Sequence, residues 1–244
     1  VKSSDPHSEH EAPAKSAAAN QNRTAAVKLL LGLAIQWVLL FGSAGTIRWT
    51  EGWILFITSC TYSLLVTVWL RKHNPALLKE RLTLWKSTAY TWDRIIMVAG
   101  IPAYLALFSL PGLDAVRLRW STVPLVLKGS GFGCYLASML LIFRVMKENT
   151  FLSRIVEIQE DRGHKVISSG PYEYVRHPMY AAAIVSFFSL SLALGSWSGL
   201  IPAAALSALI VIRTRFEDLL LRKELSGYPE YAAKVRYRLV PGVW

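Results

Sequence analysis

With 244 residues, 53% of them hydrophobic, and a positive mean hydropathy, the chain carries more uninterrupted apolar sequence than a soluble domain of its size. Its net charge of +11 argues against nucleic acid as a partner, because the basic residues flank apolar runs instead of gathering on a separate soluble domain. The same charge suits anionic lipid headgroups. Cys60 and Cys134 both fall inside apolar runs, which predicts reduced, buried thiols. His7 and His10 lie in a flexible tail, and His164 and His177 have no cysteine or close histidine partner, so no metal site is expected.

Residues 1–25 have no hydrophobic period and read as a disordered tail. They do not read as a signal peptide, because the basic start is not followed by an apolar core. Three charge-free runs follow, 29–47, 52–70 and 95–113. Each has 19 residues, the length a helix needs to cross ~30 Å of hydrocarbon. A fourth run, 120–143, is broken only by Lys128, which is expected to snorkel or to meet a backbone carbonyl. These four make an N-terminal membrane part over 26–143.

Between the second and third runs, "RKHNPALLKERLTLWKSTAYTWDR" places Leu77, Leu78, Leu82 and Trp85 at helix-like spacing. A short helix lying in the interface is predicted there, with Trp85, Tyr90 and Trp92 at headgroup level. Segment 144–177 is polar and broken by Gly163, Gly170 and Pro171, and Pro178 pushes His177 toward an extended backbone. Such irregular chain survives beside a bilayer only where it packs on protein or lines a cavity.

The run 178–212 has 35 residues without a charge. As a single helix it would extend roughly 50 Å, too long for a bilayer. "GSWSG" at its middle predicts two short antiparallel helices and a tight turn. The fold class is therefore all-α: a polytopic integral membrane bundle of about six segments, ending in a helical hairpin. "RTRFEDLLLRKEL" reads as a helix leaving the membrane, with Arg213 and Glu217 on one face. "SGYPEY" ends it, and a short surface helix closed by Pro241 is expected after that.

Lys and Arg concentrate in 71–94, 144–177 and 213–244, which hold six, six and seven of the 27. By the positive-inside rule both termini and the large loops face the cytoplasm, in a cell inner membrane. The tight hairpin returns Arg213 to the side where His177 began. His164, Tyr172, His177, Tyr180, Arg213 and Glu217 can then share one site at the cytoplasmic membrane edge. Taken singly, Arg176 reads as a positive-inside anchor, the tyrosines as interface aromatics, and Arg213–Glu217 as a surface ion pair of little energy. His177, fixed before a proline at the mouth of a charge-free hairpin, has no anchoring duty.

"GHKVISSGPYEYVRHPMY", a charge-free hairpin, "RTRFED" and "GYPEYAAKVRYRLVPG" together resemble the isoprenylcysteine carboxyl methyltransferase family, membrane enzymes related to the phospholipid N-methyltransferases. The resemblance covers 144–244, which would be the catalytic core. "NPALLKER" (74–81) resembles the first cytoplasmic loop of bacterial-type members. The resemblance implies S-adenosylmethionine as cofactor. Carried over, Glu157, His164, Lys165, Val166, Ile167, Tyr172, His177, Pro178, Met179, Tyr180 and Glu217 would bind it. Arg213 and Glu217 would be catalytic, with Arg213 also on the substrate. Asp218 stands where many relatives have a second glutamate. Nothing resembles a glycine-rich dinucleotide fingerprint.

The cofactor's carboxylate, ammonium, adenine and sulfonium call for cations, carboxylates and aromatic faces, all present in this group. A carboxylate acceptor is already ionised and needs only orientation, which Arg213 would give by a two-point contact. An amine acceptor needs a base, Glu217 or His177. The acceptor is expected to be a lipophilic small molecule or a prenylated substrate entering from the bilayer. The carboxylate of an isoprenylcysteine-like group leads, and a phospholipid or a small hydrophobic amine or thiol is the alternative. Two readings of another class are a membrane reductase, which would need a larger bundle, and a transporter, which would place polar groups near mid-membrane.

Overall fold

The computed structural model describes residues 23–83 and 90–244. The tail expected over residues 1–22 and the headgroup position expected for Trp85 lie outside the described residues. Arg23, the first described residue, is already helical, inside the segment read as a tail.

Helix α1 spans Arg23–Gly42, α2 Thr50–His73, α4 Thr91–Pro111 and α5 Leu125–Glu148. All four are long and apolar enough to cross a membrane. The charge-free run 178–212 does fold as a hairpin: α6 is Pro178–Ala193 and α7 is Leu200–Glu224. Its first arm has only 16 residues, so it is shorter than the four spans. The protein is an all-helical, polytopic integral membrane protein, with no strand among the described residues.

The hairpin turn is made by Gly195, whose φ of +80° suits only glycine comfortably, and by an unexpected partner. Asp114, fully buried just after α4, accepts hydrogen bonds at one carboxylate oxygen from Ser121 (2.6 Å), Ser196 (2.5 Å), Ser198 Oγ (2.7 Å) and the Ser198 amide (3.1 Å). Nearby, Lys128 does not take a backbone carbonyl. Its ammonium pairs with Glu51 at 2.7 Å. A neighbouring carboxylate on α2 is the better partner, because both charges are then matched.

The main core joins the helices toward the hairpin-turn end. Leu40, Phe41, Leu55, Leu107, Tyr135, Leu190, Leu194 and Leu206 form one buried cluster. Helices α5 and α6 approach closely because position 131 is glycine. A Cβ there would sit 2.9 Å from the Ala193 amide nitrogen. Cys60 and Cys134 are free, but they are half-buried and exposed, not buried as expected, because they sit on outward faces of α2 and α5.

At the opposite end from the hairpin turn, α3 (Pro75–Leu82) folds back from α2. Asn74 caps it by accepting from the Leu77 amide at 3.0 Å, and Pro75 occupies its first turn. The short helix expected between the second and third runs is present, and Leu77 and Leu78 form its inner face. They are buried against Leu70, with Leu152 of the connecting segment packed over them. The segment 149–177 is irregular, as its glycines and prolines predict, with single 3-10 turns at Glu160–Arg162 and Gly170–Glu173. Helix α8, Tyr228–Lys234, starts inside "SGYPEY", earlier than expected, because Pro229 fits its first turn. The chain beyond it runs beside the entry to α6, where the Arg176 and His177 amides donate to the Tyr237 and Arg238 carbonyls at 3.0 and 2.9 Å.

Candidate active site

His177 is the residue before α6, and with φ −126° and ψ 61° its backbone is non-helical, as Pro178 requires, though short of the extended conformation expected. Its ring lies parallel to that of Tyr180, 3° between planes and 5.7 Å between centroids. Tyr180, on the first turn of α6, donates its hydroxyl to Glu217 at 2.6 Å. One turn back on α7, Arg213 does not pair with Glu217. It makes a two-point contact with the fully buried Asp93, Nε to Oδ1 at 2.8 Å and Nη2 to Oδ2 at 3.2 Å. Nη2 also donates to the Arg154 carbonyl at 2.7 Å, and the guanidinium carbon lies 5.5 Å from the Tyr180 ring centroid. Asp93 further accepts from the Val156 amide at 3.0 Å, tying α4 to the connecting segment.

Arg176 is not a surface anchor. It is 3% exposed and grips Asp218 at 2.7 and 3.2 Å, while Nη1 donates to the Val235 and Arg236 carbonyls. Asp218, fully buried, also receives Arg238 at 3.0 Å, Arg222 at 3.2 Å and the Tyr228 hydroxyl at 3.0 Å. His177 Nε2 stands 3.7 Å from it. Burial pushes the Asp218 carboxyl up, but the contacts from His177 and Arg176 outweigh it and hold the group well below the ordinary carboxylate range.

Between these groups lies a cavity of 340 Å³, within the size range of small-molecule sites. Glu157, His164, Lys165, Val166, Ile167, Tyr172, His177, Met179, Tyr180, Arg213 and Glu217 all line it. Pro178 does not. It faces a neighbouring cleft with Leu141, Ala181 and Leu239. Tyr172 is buried, with its phenol accepting from Asn149 at 2.8 Å and its carbonyl accepting from the Tyr231 hydroxyl at 2.7 Å. Burial raises its pKa, so it stays a neutral phenol. His164 stacks on Phe151, centroids 4.7 Å apart, and its Nδ1 accepts from the Gln159 amide at 3.4 Å. Burial lowers its pKa against the opposing pull of Glu217, which keeps the imidazole neutral at pH 7.

Residues 125–226 match the family model described as phospholipid methyltransferase. Over that stretch the chain is similar to the membrane methyltransferases of that family. The matched stretch holds the 149–177 segment, the hairpin, Arg213 and Glu217, but neither Asp93 nor Tyr228. A solved eukaryotic intramembrane Ras methyltransferase, isoprenylcysteine carboxyl methyltransferase, shares the fold with a TM-score of 0.55 at 14% identity. The match covers 90% of this chain and 75% of that one. No curated protein matches the chain.

Several residues of the cavity were not anticipated from sequence: Arg81, Met97, Asn149, Phe151, Tyr228 and Tyr231 line it too, and Asp93 holds Arg213 at its wall. Asp93 had a visible signal. It is an acid at the head of a charge-free run, in a stretch otherwise dominated by basic residues. The lone pairing of Arg213 with Glu217, four apart on one helix, was the obvious local choice. The fold overrides it because Asp93 is fully buried and needs a cation, whereas Glu217 faces the cavity.

Proposed function

We propose that this methyltransferase uses S-adenosylmethionine and methylates a lipophilic acceptor that enters from the bilayer. The carboxylate of an isoprenylcysteine-like thioether is the leading candidate. The observation that carries the reading is the Tyr180–Glu217 contact, 2.6 Å, beside the His177–Tyr180 stack in the cavity that the 164–167 strip also lines. The lining fits the chemistry of the cofactor. Glu217 and Glu157 suit an ammonium or ribose hydroxyls, and the aromatic faces of Tyr172, His177 and Tyr180 suit adenine or a sulfonium. The cofactor would supply a methyl carbon made electrophilic by the sulfonium.

The chain's own work is then alignment and exclusion of water. Tyr180 fixes the Glu217 carboxylate, and the ring stack fixes Tyr180. Arg213 is held by Asp93 through Nε and Nη2, so a two-point grip on the acceptor through that edge is closed, and an acceptor contact falls to Nη1. A carboxylate acceptor needs no base. A phospholipid or hydrophobic amine acceptor, the reading favoured by the family match itself, would pass its proton to Glu217.

The dense Lys and Arg at the cavity end support a cytoplasmic site with both termini on that side, in a cell inner membrane with lipid neighbours. Calorimetric titration of the detergent-purified protein with S-adenosylhomocysteine tests the cofactor. Micromolar binding lost in Glu217→Ala and His177→Ala is expected, followed by labelled-methyl transfer into a membrane extract. Absence of binding to folded protein overturns the reading.

A further inference from the structure

Two guanidiniums of the cavity wall have no counter-ion among the described residues. Arg81 ends the "NPALLKER" motif on α3, and Arg154 lies in the connecting segment. Both line the cavity beside Met97 of α4. Among the described residues, neither side chain donates a hydrogen bond or meets a carboxylate at ion-pair distance. The other guanidiniums of the wall already hold buried carboxylates, Arg176 on Asp218 and Arg213, with only its Nη1 left over, on Asp93. Of the wall's carboxylates, Glu217 receives the Tyr180 hydroxyl.

Helix α3 aims Arg81 inward, because it follows the buried Leu77 and Leu78 by four and three positions on one face. Burial, then the Arg154 cation, lowers Arg81 to about 10, so it is still charged at neutral pH. Arg81 is half-buried and Arg154 exposed, and two like charges held together repel unless an anion joins them. The pair also stands next to the apolar spans. Arg81 lies within electrostatic reach of Tyr62, in the middle of α2, whose hydroxyl is buried without a hydrogen-bond partner. Arg154 lies within reach of Tyr104, about three turns along α4 from Asp93 and half exposed.

We infer that Arg81 and Arg154 form an oxyanion subsite for the head of the acceptor, which is therefore an anionic amphiphile bearing a carboxylate or a phosphate while its tail lies along α2 and α4. The inference rests on the methyltransferase reading and names its substrate class. Guanidiniums suit both heads, since each presents paired donors to paired oxygens.

The full chain in neutral maltoside micelles is titrated calorimetrically with dodecyl phosphate, with dodecanoate and separately with S-adenosylhomocysteine. Arg81→Gln and Arg154→Gln are compared with the unsubstituted protein. Each substitution is expected to weaken anion binding at least roughly tenfold and to leave S-adenosylhomocysteine binding unchanged. A larger loss for dodecyl phosphate assigns a phosphate head, and a larger loss for dodecanoate a carboxylate head. Arg154→Gln, at an exposed position, carries the test if Arg81→Gln fails to fold. Anion binding that is absent from the unsubstituted protein, or unchanged in both variants, overturns the subsite. Parallel loss of S-adenosylhomocysteine also overturns it, because the arginines would then hold the cofactor's carboxylate. Arginine-dependent anion binding with no S-adenosylhomocysteine binding leaves the subsite standing and sinks the cofactor reading instead.

Discussion

Arg213 and Asp93 stand 120 residues apart in sequence and 2.8 Å apart in space, Nε to Oδ1. The contact locks the head of α4 to the exit of α7, and through the Val156 amide and Arg154 carbonyl it carries the connecting segment with them. The candidate site is thus braced from a helix that lies outside the family-matched stretch.

Replacing Asp93 by Asn leaves Arg213 with a neutral neighbour. Loss of one partner of a largely buried pair costs about 3 kcal/mol, and the guanidinium drifts from the Tyr180 ring. The expected result is a lower melting temperature in detergent, with methyl transfer reduced roughly 10- to 100-fold. Full activity in D93N would show that Arg213 is positioned by something else.

Tyr180→Phe removes one hydrogen bond to Glu217 and keeps the ring stack with His177. Loss of a hydrogen bond to a charged group is worth ~1.5–3 kcal/mol. Binding of S-adenosylhomocysteine is expected to weaken by about tenfold while the melting temperature holds. A large fall in melting temperature with unchanged affinity would assign Tyr180 to the scaffold.

Asp218 is the fully buried centre of a cluster with Arg176, Arg222, Arg238, Tyr228 and His177. Its pKa is depressed on folding, so its stabilisation is complete above the ordinary value of 3.8 and is lost as pH falls below that toward the folded value. Asp218→Asn should unfold more easily at neutral pH and lose part of the acid-side decline. The check is melting temperature against pH from 7 down to 3. Identical acid profiles for the two proteins would rule out Asp218 as the acid-labile group.

His164 has the opposite charge logic. Its folded pKa lies below 6.5, so the unfolded chain takes up a proton first. Stability from this group is full above pH 6.5 and falls as pH drops from 6.5 to the folded value. His164→Gln is expected to flatten the melting curve between pH 7 and 5. An unaltered slope would mean that His164 titrates alike in both states.

Asp114→Ala at the far end takes four donors from one carboxylate oxygen and frees the hairpin turn. A loss on the order of 3 kcal/mol is expected, with S-adenosylhomocysteine affinity of the folded fraction unchanged, because the turn is at the opposite end of α6 and α7 from the cavity. Weakened affinity in folded D114A would show that the two ends are coupled.

By itself the sequence determined where helices run and where they break. Charge-free runs of span length, a five-residue interruption at 195–199 and the glycine–proline segment 144–177 all act through local backbone preference and transfer from water, which need no knowledge of neighbours. The same holds for the cap of α3 at Asn74 and for His177 before Pro178. About half of the cavity lining was legible because those residues lie close together in the chain, at 157–180 and 213–217; Arg81, Met97, Tyr228 and Tyr231 come from other elements. Only the tertiary structure decided which charges meet. Glu217 turned to Tyr180 and left Arg213 to Asp93, Lys128 found Glu51, and Asp218 gathered the cations of three segments. The physical reason is that a buried charge must be matched by whichever opposite charge the packed helices bring within about 4 Å, and that choice is made between helices, far beyond the reach of any local pattern.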